Sequence, residues 1–197
     1  MNVPFYDMRP ANEACRSKID AAMNRVLDNS WYILGDELKT FEQNFAQYCG
    51  AAHCIGVNSG TDALWLALLA AGVGPGDEVV TVAHTFVATA ISIIKTGAVP
   101  VFADVDPETL LIDPESVKER ITGSTKVILP VHLYGRCADL SSIIELGSKH
   151  GIDVIVPSTS YNKEVRGRQN VLYIDNHADI VKTTKDYADA ILSKKHS

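Results

Sequence analysis

The sequence predicts an α/β protein, a three-layer α/β/α sandwich built on a mostly parallel sheet, and three observations carry that expectation. From about residue 53 onward, short runs rich in Val and Ile alternate with segments of helical period. Strands that are separated by helices need crossover connections, which are right-handed, so the sheet they form is largely parallel and covered on both faces. The composition, 46% apolar and 21% charged, is that of a folded soluble domain.

Taken in order, residues 11–27 carry helical spacing through Ile19, Met23, Val26 and Leu27. "NSWYILGDE" breaks that pattern, and a second helix follows with Phe41, Phe45 and Tyr48 on one face, ended by Gly50. Then come strand "HCIGVN", helix "TDALWLALLAAG", strand "EVVTVA", helix "VATAISIIKTG" and strand "VPVFADV". Helix "PESVKERI", strand "KVILPVHL", helix "LSSIIELGSKHG" and strand "DVIV" complete the alternation. "GVGPGDE" reads as a turn whose glycines lack dinucleotide-fingerprint spacing, and no internal repeat or low-complexity segment is present.

The bulk numbers exclude several classes. At 197 residues the chain suits one domain, or one domain with an incomplete second. A net charge of -6 with no basic cluster argues against nucleic acid as a partner. No apolar run approaches the roughly 20 residues of a membrane span, and "MNVPFYDMRP" lacks a leader pattern, so no membrane association and a cytoplasmic location are expected. Cys15, Cys49, Cys54 and Cys137 lack zinc-site spacing and are expected as reduced thiols. His53 and Cys54 should alternate across a strand, so no metal is expected.

In such a sheet, ligands bind at the carboxyl ends of the strands, which directs attention to the residues after each strand. Ser59, Gly60 and Thr61 stand at the opening of a helix, where unpartnered amides, the helix dipole and two hydroxyls suit a phosphate; an ordinary N-cap is the alternative reading. Phe86, flanked by small residues on the same rim, could stack on a flat ring or simply pack between helix and sheet. Asp104, Asp106 and His132 follow later strands, in turns that they are expected to cap.

Together and in this order, residues 31–155 resemble the DegT/StrS-type pyridoxal-phosphate-dependent sugar aminotransferases, within the aspartate-aminotransferase fold. The resemblance runs from "GDELKTFEQNFAQYCGAAHCIGVNSGTDALWLALLAAGVGPGDEVVTVAHTFVATA" to "VILPVHLYGRCADL". It implies a partial large domain over residues 1–155, with a divergent α/β tail over 156–197. It also implies that Ser59, Gly60 and Thr61 hold the phosphate of pyridoxal 5'-phosphate, that Phe86 stacks on its ring, and that Tyr32 and Gly35 lie near the substrate. That substrate would be a keto-sugar linked to a nucleotide, aminated usually from glutamate, in a homodimer with shared sites.

The chain also departs from the family's pattern. Where the family strand runs into Glu-Asp-Ala-Ala-Gln, this sequence has Val156 and Pro157 at the acidic pair and Ser160 at the glutamine. The Asp keeps the pyridine nitrogen protonated, and a lysine in a Ser-Phe-x-x-x-Lys-Asn setting forms the Schiff base. That setting does not recur: Lys182 and Lys185 fall at a broadly plausible distance after Pro157 but lack the preceding Ser-Phe, with solvated helix-flanking lysines as the other reading. The resemblance leaves the family's smaller C-terminal domain unmatched, and the chain is expected to be truncated. The tail, with "GIDVIVPSTSYNKEV" and "NVLYIDNHADIVKTTKDYADAI", is similar to the C-terminal half of two-domain glycosyltransferases, although Glu164 lacks its setting there. A junction near residues 151–154 is expected. The resulting expectation is an aminotransferase with weak cofactor binding and impaired or no turnover. A non-catalytic binding or dimerisation protein is the alternative, and a glycosyltransferase fragment ranks third.

Overall fold

A computed structural model describes residues 4, 7–49, 53–157 and 171–174. Five strands, β1 (Glu78–Val82), β2 (Val99–Ala103), β3 (Thr125–Ile128), β4 (Asp153–Pro157) and β5 (Val171–Ile174), form one sheet in the order β2-β1-β3-β4-β5. Every pairing is parallel, with Val80 opposite both Val101 and Ile128, Ile128 opposite Val154, and Val156 opposite Tyr173. The helices are α1 (Arg9–Asn29), α2 (Asp36–Cys49), α3 (Gly60–Ala70), α4 (Ala88–Lys95), α5 (Pro114–Arg120) and α6 (Leu140–His150).

The two-residue side-chain period of the strands divides the core into two layers. Val80, Val82, Ile128, Val154 and Val156 point to the face that also buries Val117 of α5 and Leu140, Ile143 and Ile144 of α6. Val79, Val127 and Ile155 point to the opposite face, with Ala67 and Leu68 of α3 and Ile93 of α4. Both faces of the sheet are therefore covered, and the three-layer architecture holds. Strand β4 runs through residues 153–157 without a break and bonds β5 on its far side.

Local chemistry sets the ends of the elements. Ser59, Asp113 and Asp139 cap α3, α5 and α6 by accepting from the amides of Asp62, Glu115 and Ser142. Pro114 adds a fixed φ at the start of α5, and Gly151 ends α6 in the left-handed region at φ 67°. The turn between α4 and β2 needs glycine, since Gly97 has φ +88° and a Cβ there would lie 2.8 Å from the Pro75 ring.

Three sequence expectations need correction or trimming. The segment "HCIGVN" forms no strand; its burial alternates, with Cys54 inside and His53 exposed, but the Gly56 amide donates to Glu42 Oε1 of α2 at 2.7 Å instead of to a ladder. It packs on a helix, where Leu38 approaches Gly56. The predicted strand over 126–133 stops at Ile128: Leu129 still donates to Val80 at 2.8 Å, but Pro130 has no N–H to continue. The first helix is longer than expected, from Arg9 to Asn29, and none of its residues is buried. Gly50, expected to end the second helix, lies outside the described residues.

Candidate functional site

The strand order identifies where a ligand belongs. From β1 the chain crosses to β2 on one side, then returns to place β3 on the other, so the direction of winding switches between β1 and β3. At such a switch point the loops leaving adjacent strands part and open a crevice above the carboxyl ends. A cavity of about 440 Å³ lies there, within the size range of small-molecule sites. The loop and helix after β1 supply Phe86, Ala88 and Thr89; the segment after β3 supplies Leu129, Pro130, Val131 and His132; α3 supplies Gly60, Thr61, Ala63 and Leu64.

Two elements, α3 and the loop after β1, thus bring the adjacent Gly60 and Thr61 together with Phe86 in one hollow. Gly60 has nothing within 4 Å of where a Cβ would stand, which leaves its backbone open to close approach. Phe86 is 76% exposed and so is not the packing residue of the bland reading. Ser59 sits beside the cavity but serves its helix: Oγ accepts from the Asp62 amide at 3.2 Å and donates to Asp62 Oδ2 at 3.0 Å. Its one hydroxyl proton is therefore committed, and of the two hydroxyls expected to face an anion, Thr61's is the one on the cavity wall.

His132 was legible only as a turn cap, and it is one: Nδ1 accepts from the Ala138 amide at 3.2 Å. That bond leaves the proton on Nε2, which stands 3.7 Å from Cys137 Sγ. Burial holds the imidazole below its ordinary pKa and pushes the Cys137 thiol up, so both groups are favoured in their neutral forms. The same ring also forms a wall of the cavity, as does Thr89, whose hydroxyl lies 3.0 Å from that of Thr85. The signal that could have found both is position: each follows a strand that borders the switch point.

The remaining candidates stand elsewhere. Asp106 accepts from the amides of Thr109 and Glu108, which hold its carboxyl below the usual range, and Asp104 accepts from Val105; both cap turns. Tyr32, 66% exposed, and Gly35, buried, lie between α1 and α2 and do not line the cavity. At the carboxyl end of β4, Val156 is fully buried in the face shared with α6. Neither a carboxylate nor a lysine is among the described residues that line the cavity. Ser160, Glu164, Lys182 and Lys185 lie outside the described residues. Among the described residues no cluster suits a metal ion, and no helix is long and apolar enough to cross a membrane.

Comparison with known proteins agrees with this architecture. The chain is 44% identical over 168 residues to a dTDP-3-amino-3,4,6-trideoxy-alpha-D-glucose transaminase of Streptomyces venezuelae, covering 85% of this chain and 44% of that protein. Among solved structures, S. venezuelae DesV in complex with a ketimine intermediate superposes with a TM-score of 0.74 at 46% identity, over 78% of this chain and 41% of that one. The Bacillus subtilis ntda structure, with bound cofactor pmp, gives 0.74 at 32% identity, over 90% and 40%. The chain thus spans less than half the length of these relatives. The DegT/DnrJ/EryC1/StrS aminotransferase family pattern matches residues 13–161, and the chain belongs to that family.

Proposed function

We propose that this chain carries the cofactor-phosphate and ring-face part of an aminotransferase site that acts on nucleotide-linked keto-sugars. The observation that supports this most strongly is the single hollow lined by Gly60, Thr61 and Phe86 at the sheet's switch point. A phosphate at the opening of α3 meets amides with no intrahelical partner and the positive end of the helix dipole. Phe86 offers an exposed aromatic face to a pyridine ring. Pyridoxal 5'-phosphate fits these two features, and when bound it supplies an electron sink. The rest of the wall does not supply the other groups such a cofactor needs, since among the described residues that line the cavity there is neither a carboxylate nor a lysine. The chain is accordingly assigned weak cofactor binding and impaired turnover, with residues 1–155 as the aminotransferase part and 156–197 as a divergent tail. Tyr32 and Gly35 remain assigned to the sugar's neighbourhood by the family pattern alone.

Pairing with a second copy is favoured by one feature, the exposed apolar stripe of Ile19, Met23 and Leu27 on α1 together with Trp31 and Tyr32.

Titration with pyridoxal 5'-phosphate, followed by borohydride reduction and peptide mapping, tests the site. Saturable binding competed by inorganic phosphate is expected, with no adduct at Lys182 or Lys185. Ser59→Ala combined with Thr61→Ala should weaken that binding about tenfold, the value of a lost charge-assisted hydrogen bond, while Lys182→Ala leaves it unchanged. Equal affinity in the Ser59/Thr61 double variant would remove the phosphate assignment. A stoichiometric adduct at either lysine would restore a complete catalytic site.

A further inference from the structure

We propose that Lys95 is a positioning residue for the mouth of α3, acting through Asp62 to keep that mouth receptive to an anion. The inference rests on the reading that the mouth takes a phosphate, and it adds the residue that sets the local charge. Asp62 lies in the first turn of α3, and its carboxylate is bonded to the Ser59 hydroxyl, one residue from the open Gly60 backbone. A carboxylate there complements the helix dipole, but for the same reason it competes with any phosphate directed at the same amides.

Lys95 resolves that competition. It is the last residue of α4, where a cation is favoured by the dipole of its own helix, and its Nζ lies 3.3 Å from Asp62 Oδ1. The ammonium also stands 3.9 Å from the centroid of the Trp65 ring, one turn along α3 from Asp62. The side chains of Lys95 and Asp62 are 38% and 32% exposed, so water screens the pair only in part. Ser59, Asp62 and Lys95 together carry no net charge, which leaves the amides of Gly60 and Thr61 to set the sign of the field at the mouth. Without Lys95, the carboxylate in the first turn of α3 is left uncompensated. The two charged residues are 33 positions apart in sequence, and no local motif joins them.

Isothermal titration with pyridoxamine 5'-phosphate, and with pyridoxamine as the probe lacking phosphate, tests this without an aldehyde that could react with lysines. Lys95→Gln should weaken pyridoxamine 5'-phosphate binding about threefold to tenfold at low salt and leave pyridoxamine binding unchanged, while Lys95→Arg keeps the wild-type affinity. Asp62→Asn alone should bind the phosphorylated probe about threefold more tightly, and Asp62→Asn with Lys95→Gln should return to within about twofold of wild type. A Lys95→Gln loss that is absent, equal for both probes, or not relieved by Asp62→Asn overturns the inference. If Lys95→Gln does not fold, weaker binding by Asp62→Asn overturns it instead. No binding of pyridoxamine 5'-phosphate by the wild-type chain would remove the phosphate reading itself and this inference with it, whereas normal wild-type binding with no coupling removes the inference alone.

Discussion

Leu68→Ala should destabilise the chain by about 2–5 kcal/mol, read as a fall in the urea midpoint with an unchanged slope. Leu68 is fully buried and belongs to the layer formed by Val79, Ile93, Val127, Leu129 and Ile155. Truncation removes the transfer energy of the side chain and leaves a void, because strands β1, β3 and β4 are tied on both sides and cannot collapse into it. Domains of this size hold only about 5–15 kcal/mol in total, so a single truncation takes a large share. Leu68 lies two turns along the helix that opens with Gly60 and Thr61, so loosening its anchor also loosens the mouth. Binding of pyridoxamine 5'-phosphate is therefore expected to weaken alongside stability. A midpoint within experimental error of wild type would show that the α3 layer is not packed as described.

Gly147→Ala should also destabilise, by about 1–2 kcal/mol net, although alanine is the better helix former by about 1 kcal/mol. A Cβ on Gly147 would stand 2.7 Å from Val154 Cγ2 and 2.8 Å from the Ile152 carbonyl oxygen. The first neighbour is a fully buried β4 side chain, and the second is the backbone of the residue that leads into the same strand, so neither can swing aside. Helix α6 must then ride up off the sheet, which parts Ile143 and Ile144 from Val154 and Val156. Gly147→Val, with two further methyl groups and a smaller gain in propensity than alanine brings, should cost more. Gly123→Ala is the control: nothing lies within 4 Å of its Cβ position, so a change within about 0.5 kcal/mol is expected. Stabilisation by Gly147→Ala would show that α6 does not approach β4 this closely.

The parts of this fold that were legible in sequence are those in which one physical constraint acts locally. Strands β1, β3 and β4 are covered on both faces, so their Val and Ile runs stand out, and the Ser and Asp caps of α3, α5 and α6 mark helix starts. "HCIGVN" shows the limit of that logic. Alternating burial is a property of one segment against one surface, and Cys54 and His53 have it; ladder pairing requires a neighbouring strand, and here Glu42 takes the amide of Gly56. The stop of β3 could have been placed from Pro130, whose missing donor outweighs the apolar run on either side.

The site divides in the same way. Gly60, Thr61 and Phe86 were accessible because each follows a recognisable boundary. His132 was harder to assign, because a turn-capping imidazole and a cavity-wall imidazole leave the same mark in sequence. The commitment of the Ser59 proton to Asp62, and of Lys95 to the same carboxylate, depends on how α3 packs against α4 and has no local signature.

The most direct test of the central claim is an amide and ring-proton chemical-shift map of the chain during titration with pyridoxamine 5'-phosphate. The Gly60 and Thr61 amides and the Phe86 ring protons are expected to shift together, with one common affinity. Shifts concentrated elsewhere, such as the surface groove between α5 and α6 that contains Lys118 and Lys149, with Gly60, Thr61 and Phe86 unmoved, would contradict it.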